Sequence, residues 1–77
     1  MWYEKDNKLV REFRFSDFQE AFTFMTGVAF LAEKLNHHPT FINSYNYVRI
    51  ELSTHDEGHV ITNNDHSLAK EIDNMLK

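Results

Sequence analysis

The sequence predicts an α+β domain with the element order β-β-α-β-β-α. Two stretches alternate apolar and polar residues, which is typical of half-buried strands that belong to hairpins. Two other stretches repeat apolar residues every three or four positions, which indicates helices. This succession fits a four-stranded antiparallel sheet with two helices packed on one face. With 77 residues, the chain is predicted to form a single domain, residues 1–77.

The first hairpin is predicted near the N-terminus, over residues 2–15. The stretch from Lys8 to Phe15 alternates, so that Leu9 and Phe13 share one face of a strand. Residues 2–5 are expected to form the partner strand. Asp6 and Asn7 between them are typical turn residues.

The first helix is predicted to begin at Ser16, where the period changes from two to about 3.6. Ser16 with Gln19 three residues later fits a capping box. Apolar residues recur along one face, and a second apolar line lies beside it. We therefore expect this helix to touch both the sheet and a partner subunit. The first line consists of Phe18, Phe22, Met25, Ala29 and Ala32, and the second of Phe24, Val28 and Leu31.

Gly27 is the weak point of this helical pattern, since glycine in mid-helix costs about 1 kcal/mol relative to alanine. A close approach of another helix or of the sheet would explain it. The helix is predicted to end near Leu35. Pro39 prevents its continuation, because the residue before a proline is driven out of the helical region.

A second hairpin is predicted from Tyr45 to Thr62. It consists of an alternating strand from Tyr45 to Ser53, a turn that contains Gly58, and a short partner strand from His59 to Thr62. The segment from Thr62 to Asp65 offers cap oxygens and an acid for a helix first turn, and a narrow apolar stripe then runs to Leu76.

Composition excludes several functions. The net charge is −4 and no basic cluster is present, which argues against direct nucleic-acid binding. No apolar run approaches the roughly 18 residues of a membrane span, and the polar N-terminus does not resemble a signal peptide, so a cytoplasmic protein is expected. There is no cysteine, and a chain of this size buries only about 60% of its unfolded surface, so we expect a homo-oligomer.

The histidines are the candidates for chemistry. His37 and His38 lie between the helix end and Pro39 on stiff, extended backbone, and His55 closes a predicted strand. Imidazoles move protons near neutral pH, so these residues could form an acid–base site with Asp65. The alternative is a polar loop with ordinary histidines. His59 and His66 are interpreted as surface residues.

A metal site is a second alternative. The spacing of His55 and His59 occurs among zinc ligands, and His37, His38 and Asp65 could complete a set. Against this, the residues between the pair indicate a turn, and no cysteine or His-Glu-x-x-His motif is present. No glycine-rich loop is available to hold a phosphate either.

The order of these residues resembles the pterin-4a-carbinolamine dehydratase family, which also includes dimerisation cofactors of a homeodomain transcription factor. The resemblance covers nearly the whole chain and rests on the string from Ala32 to Pro39, on Tyr45-Asn46-x-Val48, and on Leu52 to His55. Phe15-x-Asp17-Phe18 and Phe22-x-Phe24-Met25 also match the family's first helix.

This resemblance implies a lyase that removes water from 4a-hydroxytetrahydropterin to give quinonoid dihydropterin, with no metal or organic cofactor. A non-catalytic protein-binding module, acting as a dimerisation cofactor or transcriptional coactivator, is the alternative that it implies. The catalytic residues would be His37, His38, His55 and Asp65. The substrate-binding residues would be Glu33, Pro39, Phe41, Ser53 and Thr54.

Two departures from the family pattern bear on these expectations. The family often has a helix ahead of the first strand, and this chain starts almost directly at the strand. A dimer is therefore expected at least as much as a tetramer. Phe41 stands where the family usually has a tryptophan, which could loosen one wall of the pterin pocket.

Overall fold

Four antiparallel strands and two α-helices make up the computed structural model, which describes residues 1–77. The strands are β1 (Tyr3–Lys5), β2 (Lys8–Arg14), β3 (Thr40–Ser44) and β4 (Tyr47–Leu52), and the helices are α1 (Phe18–Leu35) and α2 (Asn63–Met75). They form one sheet with the spatial order β1-β2-β4-β3. The predicted fold class and element order are confirmed. Neither helix is long and apolar enough to cross a membrane.

The core lies between this sheet and the two helices. Leu9 of β2 is opposite Leu52 of β4, and Phe13 is opposite Val48, so these side chains share one face of the sheet. Both helices pack there, since buried side chains from each belong to the same apolar cluster. The cluster consists of Leu9, Phe13, Ala21, Phe24, Val28, Val48, Ile50, Leu52, Leu68, Ala69 and Ile72.

The N-terminus of α1 is capped one residue later than predicted. Asp17, not Ser16, is the cap residue, and its Oδ1 accepts the backbone N–H of Glu20 at 2.8 Å. Glu20 in turn accepts the backbone N–H of Ser16 at 2.9 Å, a role predicted for Gln19. Two carboxylates at this end suit the positive end of the helix dipole better than serine and glutamine would.

The buried face of α1 consists of Ala21, Phe24, Val28 and Ala32, so the second predicted apolar line supplies more of the core than the first. Gly27 lies where α1 meets α2. A Cβ atom at this position would clash with the terminal methyl group of Met75, so the predicted close approach is confirmed as a helix–helix contact.

The boundaries predicted for the second hairpin were wrong. The hairpin is formed by β3 and β4, which meet around a tight turn at Tyr45 (φ +51°), and the predicted strand from His59 to Thr62 does not exist. A short 3₁₀ helix, His55–Glu57, follows β4 instead. Gly58 and His59 both adopt left-handed backbone (φ +85° and +61°), which turns the chain back and leaves a single bridge between Thr54 and Val60.

Candidate active site

A polar cleft of about 430 Å³ lies where three chain segments meet: the connection from α1 to β3, the 3₁₀ helix, and the first turn of α2. No hydrophobic residue lines it. The lining residues are Asn36, His37, His38, Pro39, Thr40, Thr54, His55, Asp56 and Asn64. Three of the five histidines of the chain therefore face one concave surface.

The end of α1 sets the direction in which His37 and His38 leave the helix. Asn36 adopts the left-handed conformation (φ +51°), which asparagine tolerates well, and its backbone N–H donates to the carbonyl of Glu33. The backbone N–H of His37 donates to the carbonyl of Ala32 at 2.9 Å. This closure of the last turn places both histidines at the cleft instead of along the helix axis.

Asp65 anchors the imidazole of His37. The Asp65 side chain is fully buried, and its Oδ1 lies 2.5 Å from His37 Nε2. Its Oδ2 accepts the hydroxyl of Thr54 and the backbone N–H of Thr62, each at 2.8 Å. Because an ionised carboxylate only accepts hydrogen bonds, Nε2 of His37 must carry a proton. The other ring nitrogen, Nδ1, has no hydrogen-bond partner in the protein.

His38 is held in a similar way by an exposed acid. Its Nε2 lies 2.6 Å from Oε2 of Glu33, which is on the last turn of α1. Both side chains are more than half exposed, so solvent weakens this pair relative to the buried one. Nδ1 of His38 again has no protein partner.

His55 has a different kind of partner. Its Nδ1 lies 3.0 Å from Nδ1 of His59, and the two rings meet edge to face with centroids 4.8 Å apart. Since Nδ1 is occupied in this way, Nε2 is the ring nitrogen of His55 that remains for the cleft. His59 itself does not line the cleft.

Each cleft histidine thus has one ring nitrogen fixed by a neighbour and one nitrogen left over. An imidazole in that state can give or take a proton at the second nitrogen while the first keeps its orientation. Two or more such groups around one concave site could protonate one atom of a bound molecule and deprotonate another.

The structure brings together most of the residues predicted for the site. His37, His38, Pro39, Thr54 and His55 line the cleft, Asp65 lies behind His37, and Glu33 contacts His38. Phe41 does not line the cleft, since it packs against the core from β3. Ser53 precedes a lining residue but is not one itself.

Sequence reasoning missed several lining residues and one partner: Asn36, Thr40, Asp56, Asn64 and His59. Asn36 could have been found, because asparagine just after a helix favours the left-handed cap. His59 carried no such signal. No three histidine or acidic side chains converge in a geometry that could hold a metal ion, so the alternative of a zinc site gains no support.

Comparisons with known proteins agree with this arrangement. Residues 1–75 match the family model described as pterin 4 alpha carbinolamine dehydratase. The chain belongs to this family. A Prochlorococcus marinus (strain MIT 9515) protein, provisionally named as a pterin-4-alpha-carbinolamine dehydratase, is 51% identical over 76 residues, which are 99% of this chain and 78% of that protein. A relative from strain NATL2A with the same provisional name is 53% identical over 72 residues, which are 92% of this chain and 75% of that protein.

Two solved structures share this fold. A transcriptional coactivator/pterin dehydratase from Brucella melitensis superposes with a TM-score of 0.87 at 40% identity, over 94% of this chain and 78% of that one. A pterin dehydratase-like protein identified as a RuBisCO assembly factor of the alpha-carboxysome superposes with a TM-score of 0.74 at 23% identity, over 95% of this chain and 83% of that one. The second likeness extends to the fold alone.

Proposed function

We propose that this chain is a lyase that dehydrates 4a-hydroxytetrahydropterin to quinonoid dihydropterin, in the recycling of tetrahydropterin. One observation supports the proposal above the others: the cleft, which no hydrophobic residue lines, brings together His37 and His38 from one segment and His55 from another. Membership of the dehydratase family supplies the substrate class. We further propose that the reaction takes place in the cytoplasm.

The reaction needs two proton transfers and nothing else. The C4a–O bond breaks and the hydroxyl group takes a proton to leave as water. The N5–H proton passes to a base, and its electron pair forms the C4a=N5 double bond. A general acid and a general base on opposite sides of the ring each contribute about 10²- to 10⁴-fold to such a step.

We assign His37 and His55 to these transfers and His38 to binding and positioning. His37 is the best oriented, because Asp65 is itself fixed by Thr54 and Thr62. His55 offers Nε2 from the 3₁₀ helix. Thr54 and Pro39 line the cleft, and Glu33 orients His38. No cofactor is required, since imidazoles supply both proton transfers.

A continuous assay for quinonoid dihydropterin formation tests the proposal. His37→Ala is expected to lower the rate by at least about 10²-fold, because it removes a proton-transfer group. His66→Ala is the matched control, since His66 is an exposed histidine outside the cleft. A folded His37→Ala protein with an unchanged rate would refute the assignment. Activity that depends on a stoichiometric bound metal would refute the cofactor-free mechanism.

A second candidate function is a protein-binding module, and the outer face of α1 favours it. Phe18, Phe22 and Phe30 lie on one ridge of the helix and are 47%, 51% and 72% exposed. A ridge of this kind is an apolar patch that a partner can cover. We propose that a second copy of this chain covers it, in a dimer or tetramer. A protein that binds partners through this ridge but shows no dehydratase activity would favour the module.

A further inference from the structure

The contact between His55 and His59 lies outside the set of residues so far given a role. We propose that His59 is a positioning residue that accepts the Nδ1–H of His55 and thereby presents Nε2 of His55 to the cleft as its proton-exchanging atom. The kinetic part of this inference rests on the proposed dehydratase function. The tautomer that it assigns to His55 follows from the place of this ring in the cleft, and it is measured independently of activity.

The loop is built to hold this pair together. The backbone N–H of His59 donates to the carbonyl of Thr54 at 3.0 Å, and that of Gly58 donates to the carbonyl of His55 at 3.1 Å. Gly58 and His59 are both left-handed, which folds the second ring back onto the first. Left-handed backbone is uncommon for a residue other than glycine, and such positions concentrate at functional sites.

Proton counting, together with the place of each ring, indicates which ring donates. At 3.0 Å, one Nδ1 carries a hydrogen and the other offers a lone pair. The accepting ring is then neutral and must carry its proton on Nε2, so it cannot act as a base there. The donating ring can gain or lose a proton at Nε2 while the contact persists. Because His55 lines the cleft and His59 does not, His55 can exchange protons with a ligand only as the donor.

The same pattern recurs around the cleft with different acceptors. Asp65 accepts a hydrogen bond from His37, and Glu33 accepts one from His38. For His55, the acceptor is the imidazole of His59 instead of a carboxylate. Because His59 is a neutral acceptor, it adds no negative charge beside His55, whereas the carboxylates beside His37 and His38 do. The pair also cannot hold a proton on all four nitrogens, because two N–H groups would then face each other.

Other titratable groups surround the pair. His37 and His38 face the same cleft from the connection after α1, and Asp56 faces it from the 3₁₀ helix. Asn64 is the uncharged contribution from α2, while Glu57 faces a separate depression with Thr62 and Asn63. A change in the pH profile is therefore ascribed to the pair only when the tautomer of His55 changes with it.

Nitrogen NMR on ¹⁵N-histidine-labelled protein reads the tautomer directly, at about pH 8, above the ordinary imidazole pKa of about 6.5. In the unmodified protein, His55 is expected as the Nδ1–H form, with a through-hydrogen-bond coupling between the two Nδ1 atoms. In His59→Gly, which suits the left-handed backbone, His55 should lose this preference. His59→Asn keeps an acceptor and the backbone, and should retain it.

Turnover gives the second readout. His59→Gly is expected to lower kcat about 10-fold with little change in KM, to alter the pH profile, and to be rescued in large part by His59→Asn. His66→Gln is the control and should leave tautomer and rate unchanged. An Nε2–H form of His55 in the unmodified protein, or a tautomer unaffected in His59→Gly, overturns the inference. Absence of dehydratase activity refutes the proposed function instead, and the NMR result alone then decides the inference.

Discussion

On one side of the cleft, His37 is anchored by a carboxylate that is entirely inside the protein; on the other side, His55 is anchored by the exposed imidazole of His59. We call these the inner wall (His37 and Asp65) and the outer wall (His55 and His59). The inner wall shares its hydrogen bonds with the cap of α2, through Thr62. The outer wall belongs to a short loop without buried residues.

Because the two walls differ in burial, substitutions in them should differ in their effects on folding stability and on turnover. A buried charge that loses a partner is costly, because its desolvation is no longer compensated. An exposed side chain that loses a partner regains water instead. Substitutions in the inner wall are therefore expected to affect folding and turnover together, and those in the outer wall turnover alone.

The largest effect is expected for Asp65→Ala. The substitution leaves Thr54 and His37 without their acceptor and removes the capping box of α2. We expect the free energy of unfolding to fall by about 3 kcal/mol, a large share of the roughly 4–10 kcal/mol typical of a chain of this size. Urea unfolding measures it. Asp56→Ala, at an exposed cleft position, is the control and should change stability by less than about 0.5 kcal/mol.

His55→Ala comes next and tests the outer wall. The dehydration rate is expected to fall about 10²-fold because a proton-transfer group is lost. The free energy of unfolding should stay within about 0.5 kcal/mol of the unmodified value, because the side chain is exposed. Kinetics and urea unfolding on the same preparation give both numbers. A destabilisation comparable to that of Asp65→Ala would abolish the distinction between the two walls.

The two walls also differ in how far they could be predicted from sequence. Pro39 restricts the backbone before it, so the position of His37 and His38 at a helix end was predictable, and Asp65 was predicted to belong to the same acid–base site. In the structure, the imidazole that Asp65 contacts is that of His37. This choice depends on how α1 and α2 pack, and no local pattern encodes packing.

The outer wall was harder to predict because the backbone conformation of a short loop determines where His55 and His59 lie. Val60, Ile61 and Thr62 have high strand propensity, and a partner strand was predicted there. Left-handed backbone at Gly58 and His59 redirects the chain, and a residue other than glycine adopts it too rarely for His59 to be singled out from sequence. The hairpin partner of β4 is β3, a strand of five residues directly after Pro39 for which no strand was predicted.

A smaller effect is expected on the ridge of α1, which lies apart from both walls. Phe30→Glu places a charge on the most exposed phenylalanine of the ridge and should weaken self-association about 10-fold or more. Sedimentation equilibrium measures the dissociation constant, and Ser67→Glu, which adds the same charge at an exposed position of α2, is the control. If the rate per subunit is unchanged while the oligomer dissociates, each cleft is complete within one chain. An unchanged oligomer would remove the ridge as the interface.

The smallest effect concerns Tyr47, on the sheet face opposite the helices, and it controls for pH effects remote from the cleft. Partial burial, together with the Glu12 carboxylate that accepts its O–H at 2.9 Å, raises the pKa of Tyr47 above its usual value of 10.0. The neutral phenol is thus favoured in the folded state, so its contribution to stability is complete below about pH 10 and is lost as the pH rises through the higher folded value.

Tyr47→Phe should change the free energy of unfolding by less than about 0.5 kcal/mol at neutral pH, and should make the decline of this free energy above pH 10 shallower. Urea unfolding at a series of alkaline pH values measures this slope. An identical slope in both proteins would mean that other groups cause the alkaline loss of stability. Because a phenol titrates well above the imidazoles, Tyr47→Phe should leave any change between pH 5 and 8 unaltered.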